Sequence, residues 1–248
     1  MIRLEAIHKT YNRGTAAEVS ALSNINLVIA KGEFVTVLGA NGSGKSTLLN
    51  VLSGSVFPEK GNIYIAETNV TTLPEYRRSK WIARVFQNPL AGTVSELTIF
   101  ENFRLAAIRA HPKNLTVGTT PKFRLLVRDK IAGLGLGLEN KTDALMGTLS
   151  GGQRQALTLL MAVMDDASLV LLDEPTAALD PKTSARIMTL ADRIIREHGL
   201  TAILVTHNLK DAATYGSRIL LMSEGKITKD VARNESTNPD PATLLDWF

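Results

Sequence analysis

The sequence contains no cysteine, which excludes a disulfide framework and any metal site built on thiolates. It also lacks a long hydrophobic run. The uninterrupted apolar stretches, such as residues 169–172, have the length of a strand and fall far short of the ~20 residues that a membrane-spanning helix needs. The N-terminus carries Arg3 and Glu5 and has no apolar signal-peptide core. We therefore expect a soluble chain, and the absence of cysteine fits a reducing compartment.

The chain has little excess of one charge, and that excess is local. Net charge is +4, and residues 109–130 contain six basic side chains against one acidic, a balance of +5. Such a segment can face nucleic acid, anionic lipid or a partner protein, or it can be a solvated helix face. Aromatic residues are only 5% of the chain and Phe123 stands alone in this segment, so no rings are available to stack bases and we expect no nucleic acid partner. Anionic lipid, a partner protein and a solvated helix face remain open for this segment.

The composition is that of a globular protein, with 44% hydrophobic and 21% charged residues over 248 positions. Residues 2–27 alternate between apolar and polar side chains, which predicts antiparallel strands with a turn at residues 12–14. Residues 34–38 predict a buried strand that leads into a glycine-rich loop. A helix over residues 45–53 follows, with Gly54 at its C-terminus.

The second half of the sequence predicts a parallel sheet. Residues 169–172 and 202–205 are apolar without alternation, as in strands buried on both faces, and residues 182–198 predict a helix between them. The middle, from about 85 to 166, favours helices, one starting near Thr98 and one over residues 122–134, with an exposed loop at 112–121. Residues 243–248 predict a last helical turn.

The glycine-rich loop carries the first functional motif. Residues 39–47 read GANGSGKST and match G-x-x-x-x-G-K-[ST], in which backbone N–H groups converge on phosphate oxygens. Lys45 would place a charge on the β- and γ-phosphates, and Ser46 would offer a hydroxyl to Mg²⁺, which prefers oxygen ligands. A purely structural turn is disfavoured by the preceding strand and following helix. The predicted nucleotide contacts are Gly39, Asn41, Gly42, Ser43, Gly44, Lys45, Ser46 and Thr47.

A pair of carboxylates follows the strand at 169–172. Asp173, at the end of a buried strand beside a phosphate loop, can hold Mg²⁺ directly or through water. Glu174 can then orient and deprotonate the attacking water. Acidic residues after a strand more often cap helices, but the phosphate loop makes the catalytic interpretation the stronger one.

Residues 149–153 read LSGGQ and precede a predicted helix through residue 164. A serine and two glycines at a helix start form a second exposed anion site. LSGGQ between the phosphate loop and the acidic strand end resembles the ABC ATPase family, and the resemblance covers nearly the whole chain. It implies an α/β fold: a P-loop NTPase core with a mixed sheet, an N-terminal antiparallel β part and an inserted α-helical subdomain. We expect residues 1–86 and 167–233 in the core, 87–166 in the helical subdomain and 234–248 as a tail.

The resemblance implies roles for further residues. Tyr11 corresponds to the aromatic that stacks on adenine, and Gln87 to the glutamine that senses Mg²⁺ and the attacking water. Residues 178–180 correspond to a loop that signals across a dimer, and His207 to the histidine that contacts the γ-phosphate. Two ATP molecules would be held between Lys45 of one copy and the second copy's LSGGQ residues. Those residues are Ser150, Gly151, Gly152 and Gln153.

The same resemblance implies ATP and Mg²⁺ as cofactors, and a transporter at the cytoplasmic face of the membrane. ATP hydrolysis would drive a separate permease, and we expect the permease's coupling helix to bind near residues 87–101. Residues 88–93 and 150–161 resemble bacterial importer cassettes that work with a substrate-binding protein, often for amino acids. The alternatives are an exporter or lipoprotein-release cassette and a non-transport ABC ATPase.

Overall fold

We describe a computed structural model of the chain, covering residues 1–109, 118–165, 167–233 and 238–248. The described residues form two sheets. The strands are β1 (Ile2–Tyr11), β2 (Val19–Ile29), β3 (Phe34–Leu38), β4 (Lys60–Ile65), β5 (Thr68–Asn69), β6 (Ile82–Val85), β7 (Leu169–Asp173), β8 (Ala202–Val205), β9 (Arg218–Ser223) and β10 (Lys226–Ala232).

The larger sheet is mixed and has the order β10-β9-β3-β8-β7-β6. Parallel pairing joins β3 to β8 and β9, and β7 to β6 and β8. Only β10, at one edge, pairs antiparallel, with β9. Strands β3 and β8 are buried along their whole length, which explains their apolar runs without alternation. The carboxyl ends of the parallel strands therefore share one edge of the sheet.

The smaller sheet is antiparallel, with the order β2-β1-β4-β5. Its strands alternate between buried and exposed positions, as in the pairing of Ile2 with Ile29 and Leu4 with Leu27. The sequence periodicity predicts this hairpin, and the turn begins at Asn12, as expected. The predicted mixed α/β fold with an antiparallel N-terminal part is confirmed.

The helices cover both faces of the larger sheet. They are α1 (Lys45–Ser53), α2 (Glu75–Arg78), α3 (Ile99–Ala107), α4 (Pro121–Ala132), α5 (Gly151–Ala162), α6 (Pro181–Glu197), α7 (Leu209–Thr214) and α8 (Pro241–Leu245), with a 3₁₀ turn at Met146–Thr148. One core cluster joins α1 to the antiparallel sheet. Another joins α3, α4, α5 and α6 to the opposite face. No helix among the described residues is long and apolar enough to cross a membrane.

Most predicted elements lie within two residues of the observed ones, and α1 matches at both ends. Helix α5 ends at Ala162 and not at Met164, and α8 starts earlier than predicted because Asp240 caps it and Pro241 occupies its first turn. The middle of the chain is less helical than expected. Residues 86–98 form turns. The side chain of Asn102 stabilises these turns through hydrogen bonds to backbone groups of Val94, Leu97 and Thr98. The predicted loop at 112–121 lies largely outside the described residues.

Candidate nucleotide site

The phosphate loop connects β3 to α1 at the carboxyl edge of the larger sheet. Two of its glycines are needed for close packing. A Cβ on Gly39 would collide with the side chain of Ser43 and the carbonyl of Met222. Gly44 has φ +103° and would collide with the carbonyl of Ala21. Because these positions exclude side chains, the loop backbone stays open to a polyphosphate.

Lys45 begins α1, and its Nζ donates to the carbonyls of Gly39 and Ala40, both at 2.8 Å. Burial lowers the pKa of Lys45, and the nearby carboxylates of Glu174 and Asp173 act in the opposite direction. Ser43 Oγ is buried and has no hydrogen-bond partner within the described part of the chain. A cation folded over the loop and a spare buried hydroxyl fit a loop built to hold phosphate oxygens.

The remaining predicted nucleotide contacts in this loop are spread over its surface and the first turn of α1. Asn41 and Gly42 are exposed at the tip, Ser46 is exposed, and Thr47 is half-buried. Ser46 and Thr47 are the second and third residues of α1, so their hydroxyls lie at the positive end of the helix dipole.

Three of the predicted catalytic side chains line one cleft. Gln87, Glu174 and His207 surround it together with residues 39–41 of the phosphate loop, and its volume is about 420 Å³. Nδ1 of His207 lies 3.0 Å from Oε2 of Glu174. The cleft therefore brings a carboxylate and an imidazole together beside the phosphate loop, although the two are 33 residues apart in sequence.

Glu174 sits on an unusual backbone. It has φ +43°, in the left-handed region that is costly for residues other than glycine. Its N–H donates to the carbonyl of Val205 at 3.0 Å, which fastens the turn to β8. This hydrogen bond helps to hold Glu174 in a backbone conformation that costs free energy.

Asp173 ends β7 and forms an ion pair. Its Oδ2 accepts from Nη2 of Arg84, on β6, at 2.6 Å. Among the described residues there is no cluster of three or more histidine and acidic side chains that could hold a metal alone. Ser46, Gln87 and Asp173 are oxygen donors at this edge, which fits Mg²⁺ because that ion takes one or two carboxylates and completes its shell with substrate phosphates and water.

The LSGGQ residues lie elsewhere. Ser150 caps α5 and, with Gln153, forms a reciprocal pair of hydrogen bonds of 3.2 and 3.3 Å. Ser150, Gly152 and Gln153 line a second groove, between α5 and α6, and among the described residues none lines the cleft of Glu174. Gly151 packs against Leu179, so this helix start contacts the 178–180 loop. Within one chain the two predicted anion sites remain apart.

Tyr11 ends β1 and pairs with Val19 of β2. Ala21, two residues further along β2, has its carbonyl against Gly44, so this end of the antiparallel sheet is next to the phosphate loop. The ring of Tyr11 is partly exposed, with Lys9 Nζ 5.4 Å from its centroid. It is available for stacking on a base.

The basic segment at 109–130 is described only at its two ends, and Lys113 lies outside the described residues. The arginines that are described have partners: Arg109 pairs with Asp165, Arg124 with Asp143, and Arg128 donates to Asn140. Lys122 and Lys130 are the basic residues left for solvent or lipid in the described part. The contacts favour a structural use of the arginines over a lipid-facing patch.

Sequence patterns missed two residues of this region. Arg84 contacts Asp173 although nothing in the sequence of β6 indicates this contact, and Phe248 lines the cleft of Glu174 and His207. Trp247, next to it, packs on a small core of α7, α8, β3 and β9, and Leu244 of α8 is fully buried. The tail is therefore anchored beside the site.

Comparisons with known proteins agree with this geometry. Residues 22–177 match the family model described as ABC transporter. The chain is 38% identical over 248 residues to a tyrosine transport ATP-binding protein of Clostridioides difficile, covering 100% of this chain and 98% of that one. A macrolide export ATP-binding/permease protein of Chlorobium phaeobacteroides is 36% identical over 95% of this chain, but over only 34% of its own length.

A solved structure shares the fold. It is a dimeric, post-hydrolysis state of the ATP-binding cassette MJ0796 bound to ADP and Pi, with a TM-score of 0.80 and 31% identity, covering 94% of this chain and all of the other. The phosphate loop, the acidic end of β7 and LSGGQ thus lie within a shared architecture. This chain belongs to the ABC transporter family and is the ATP-binding subunit of such a transporter.

Proposed function

We propose that the chain hydrolyses ATP and that hydrolysis powers the movement of a small solute, such as an amino acid, through a separate membrane permease. The observation that carries this proposal is the cleft in which Glu174, His207 and Gln87 meet the phosphate loop. A cleft with a carboxylate and an imidazole, beside a phosphate-binding loop that carries Lys45, suits attack of water on a γ-phosphate.

Each residue has a task in this reaction. Lys45 leaves the loop carbonyls and neutralises charge on the β- and γ-phosphates. Glu174 accepts the proton of the attacking water, and His207, 3.0 Å away, holds the carboxylate and contacts the γ-phosphate. Gln87 orients the water, and Tyr11 stacks on the adenine. Glu174 as general base contributes on the order of 10²–10⁴-fold to the rate.

Mg²⁺, when bound, neutralises the charge that develops on the phosphate oxygens. Ser46, Asp173 and Gln87 would hold it. The hydroxyl and amide are neutral, so Asp173 is the charged ligand of this set, and the phosphates of ATP supply the other negative oxygens.

A second copy completes the site. The LSGGQ residues lie outside the Glu174 cleft within one chain, yet Ser150 starts a helix and offers the dipole end that binds anions. Placing the LSGGQ of a partner copy over the phosphates gives the nucleotide protein contacts on both sides. The dimeric cassette bound to ADP and Pi supports this arrangement.

Import is the direction that we propose, because the tyrosine transport relative matches along the full chain. A substrate-binding protein outside the membrane and a position at the cytoplasmic face, held by the permease, complete this system. Export is the second candidate, supported by the macrolide export relative. Isolation of the complex from membranes and identification of its subunits distinguishes them: a substrate-binding protein supports import, and its absence with a fused or efflux permease supports export.

Nucleotide-driven dimerisation tests the proposal. Glu174→Gln should bind ATP without hydrolysing it, so the closed dimer should persist, and light scattering should report twice the mass of the chain. Adding Lys45→Ala to Glu174→Gln should keep the protein monomeric at the same ATP concentration. A monomeric Glu174→Gln protein that demonstrably binds ATP would contradict the shared site.

A further inference from the structure

Arg84 connects two features that the proposed reaction treats separately. Its guanidinium donates through Nη2 to Asp173 Oδ2 at 2.6 Å and through Nη1 to Asn50 Oδ1, on α1, at 2.8 Å. The side chain of Arg84 is only 12% exposed and that of Asp173 only 15%. At such burial salt screens the ion pair between Arg84 and Asp173 only weakly.

The same arginine lines a groove on the surface. This groove, of about 390 Å³, lies between β6, α2, α3 and α5 and includes Arg84, Phe86, Val94 and Leu105. The guanidinium carbon of Arg84 is 4.8 Å from the centroid of the Phe86 ring. Nε of Arg84 is buried and has no hydrogen-bond partner within the described residues. A buried N–H without an acceptor is costly, and an acceptor entering the groove would relieve that cost.

We propose that Arg84 is a positioning residue that competes with Mg²⁺ for Asp173. The inference rests on the proposed function, because it takes Asp173 as a ligand of Mg²⁺. Arg84 holds one carboxylate oxygen and places a positive charge where a dication has to bind. A carboxylate introduced by substitution on the groove side of Arg84 should draw the guanidinium toward itself and leave Asp173 to the metal.

Two opposing effects decide whether loss of Arg84 raises or lowers the Mg²⁺ concentration that the site requires. Removing Arg84 frees Asp173 to change rotamer, which weakens metal binding slightly. It also removes a full charge close to the dication, and at an effective dielectric of 20 this larger effect strengthens metal binding. The charge effect wins, so loss of Arg84 should lower the Mg²⁺ concentration that the site requires.

The first experiment compares Arg84→Met with Arg84→Lys in the full chain. The measured quantity is the Mg²⁺ concentration that gives half of the Mg²⁺-dependent increase in binding of a fluorescent ATP analogue. We expect Arg84→Met to lower this midpoint about tenfold. Arg84→Lys retains the charge and should stay within about threefold of the unmodified chain. An unchanged or raised midpoint in Arg84→Met overturns the proposal, even if that variant melts at a lower temperature.

The second experiment places an acceptor on the groove side. Phe86→Glu puts a carboxylate beside the guanidinium, and Phe86→Leu removes the ring without adding charge. Phe86→Glu should lower the Mg²⁺ midpoint more in the chain that has Arg84 than in the Arg84→Met background, where only the direct attraction between the new carboxylate and the metal remains. If Phe86→Glu shifts the Mg²⁺ midpoint equally in the two backgrounds, the new carboxylate does not act through Arg84.

The failure of this inference can be told apart from failure of the proposed function. If the unmodified chain does not bind the ATP analogue, or binds it as well after Lys45→Ala, the nucleotide site itself is wrong. If binding of the ATP analogue requires Lys45 but the Mg²⁺ midpoint is the same with and without Arg84, only the inference about Arg84 is wrong.

Discussion

At the scale of single residues, the backbone of Glu174 shows what the site demands. Its φ of +43° is a conformation in which glycine is not strained and other residues are. The proposed reaction needs a carboxylate at the end of β7, which would explain why a residue other than glycine occupies this conformation. Under the proposed function, stability is sacrificed for activity at this position.

This strain leads to a prediction. Glu174→Gly should be more stable to unfolding than Glu174→Ala by roughly 0.5–1 kcal/mol, which is the strain relieved minus the extra freedom of glycine in the unfolded chain. Neither variant should hydrolyse ATP. Urea denaturation of the pair measures the difference, and a less stable glycine variant would show that the backbone at this position is unstrained.

At the residue scale, a motif predicts candidate site residues from sequence, whereas a contact made only in the tertiary structure leaves no local pattern. Lys45, Glu174 and His207 follow from motifs and from the family resemblance. The structure places Glu174 and His207 around one cleft, and Lys45 donates to the carbonyl of Gly39 at its wall. Arg84 could not be found, because an arginine on an edge strand usually faces solvent. Its partner Asp173 is 89 residues away in sequence, so no local pattern relates the two.

At the scale of elements, the sequence predicts those whose signals are local. Strand β3, helix α1 and the β7–α6–β8 unit combine apolar runs with clear ends: Gly54 closes α1 in a left-handed conformation and Asp180 caps α6. The sequence patterns do not predict strands β4, β6, β9 and β10. Strand β10 is largely exposed, β4 is exposed in part and β6 has only four residues, whereas β9 contains a buried apolar run at residues 219–222. The pairing partners of these strands depend on the order of the sheets.

Helix α1, which carries Lys45, depends on an arginine at its other end. Arg78 is fully buried and donates to the carbonyls of Val51 and Leu52 in the last turn of α1 at 2.7 and 2.9 Å, and to those of Leu73 and Thr71. Burial lowers the pKa of Arg78 to about 10, so it stays charged at neutral pH. Four carbonyl groups share this one side chain.

Arg78→Met should therefore destabilise the protein by about 3 kcal/mol or more, because the carbonyls stay buried without their donor. Arg77→Met, at the exposed neighbouring position, should change the free energy of unfolding by less than about 0.5 kcal/mol. Guanidinium denaturation of both variants measures the contrast. Equal stabilities would show that water replaces the arginine at no cost.

At the scale of the whole molecule, the groove beside β6 is where a permease segment is expected. Its wall includes the turns at residues 91–94, and Val94 and Leu105 are large apolar side chains that are 41% and 47% exposed. This segment leads from Gln87 in the catalytic cleft to α3. A partner bound here contacts a surface that is continuous with the site.

The absence of cysteine makes this surface testable. A single cysteine at Val94 should form crosslinks to the permease in membranes that contain the assembled transporter, because it gives the chain its only thiol. A cysteine at Asn62, exposed on β4, is the matched control and should not crosslink. Crosslinks from neither position, in a complex shown to be intact, place the permease elsewhere.

The fold, the cleft and the shared site all lead to one reaction, and its rate is the most direct test. Phosphate release from Mg²⁺-ATP should be measured for the unmodified chain, Glu174→Gln and Glu197→Gln. Glu197 ends α6, is exposed and does not line the cleft, so its variant controls for the loss of a negative charge. We predict that Glu174→Gln releases phosphate at least about a hundredfold more slowly than the unmodified chain while binding ATP normally. Glu197→Gln should release phosphate at the rate of the unmodified chain. A Glu174→Gln protein that keeps more than about a tenth of the rate would contradict Glu174 as the general base.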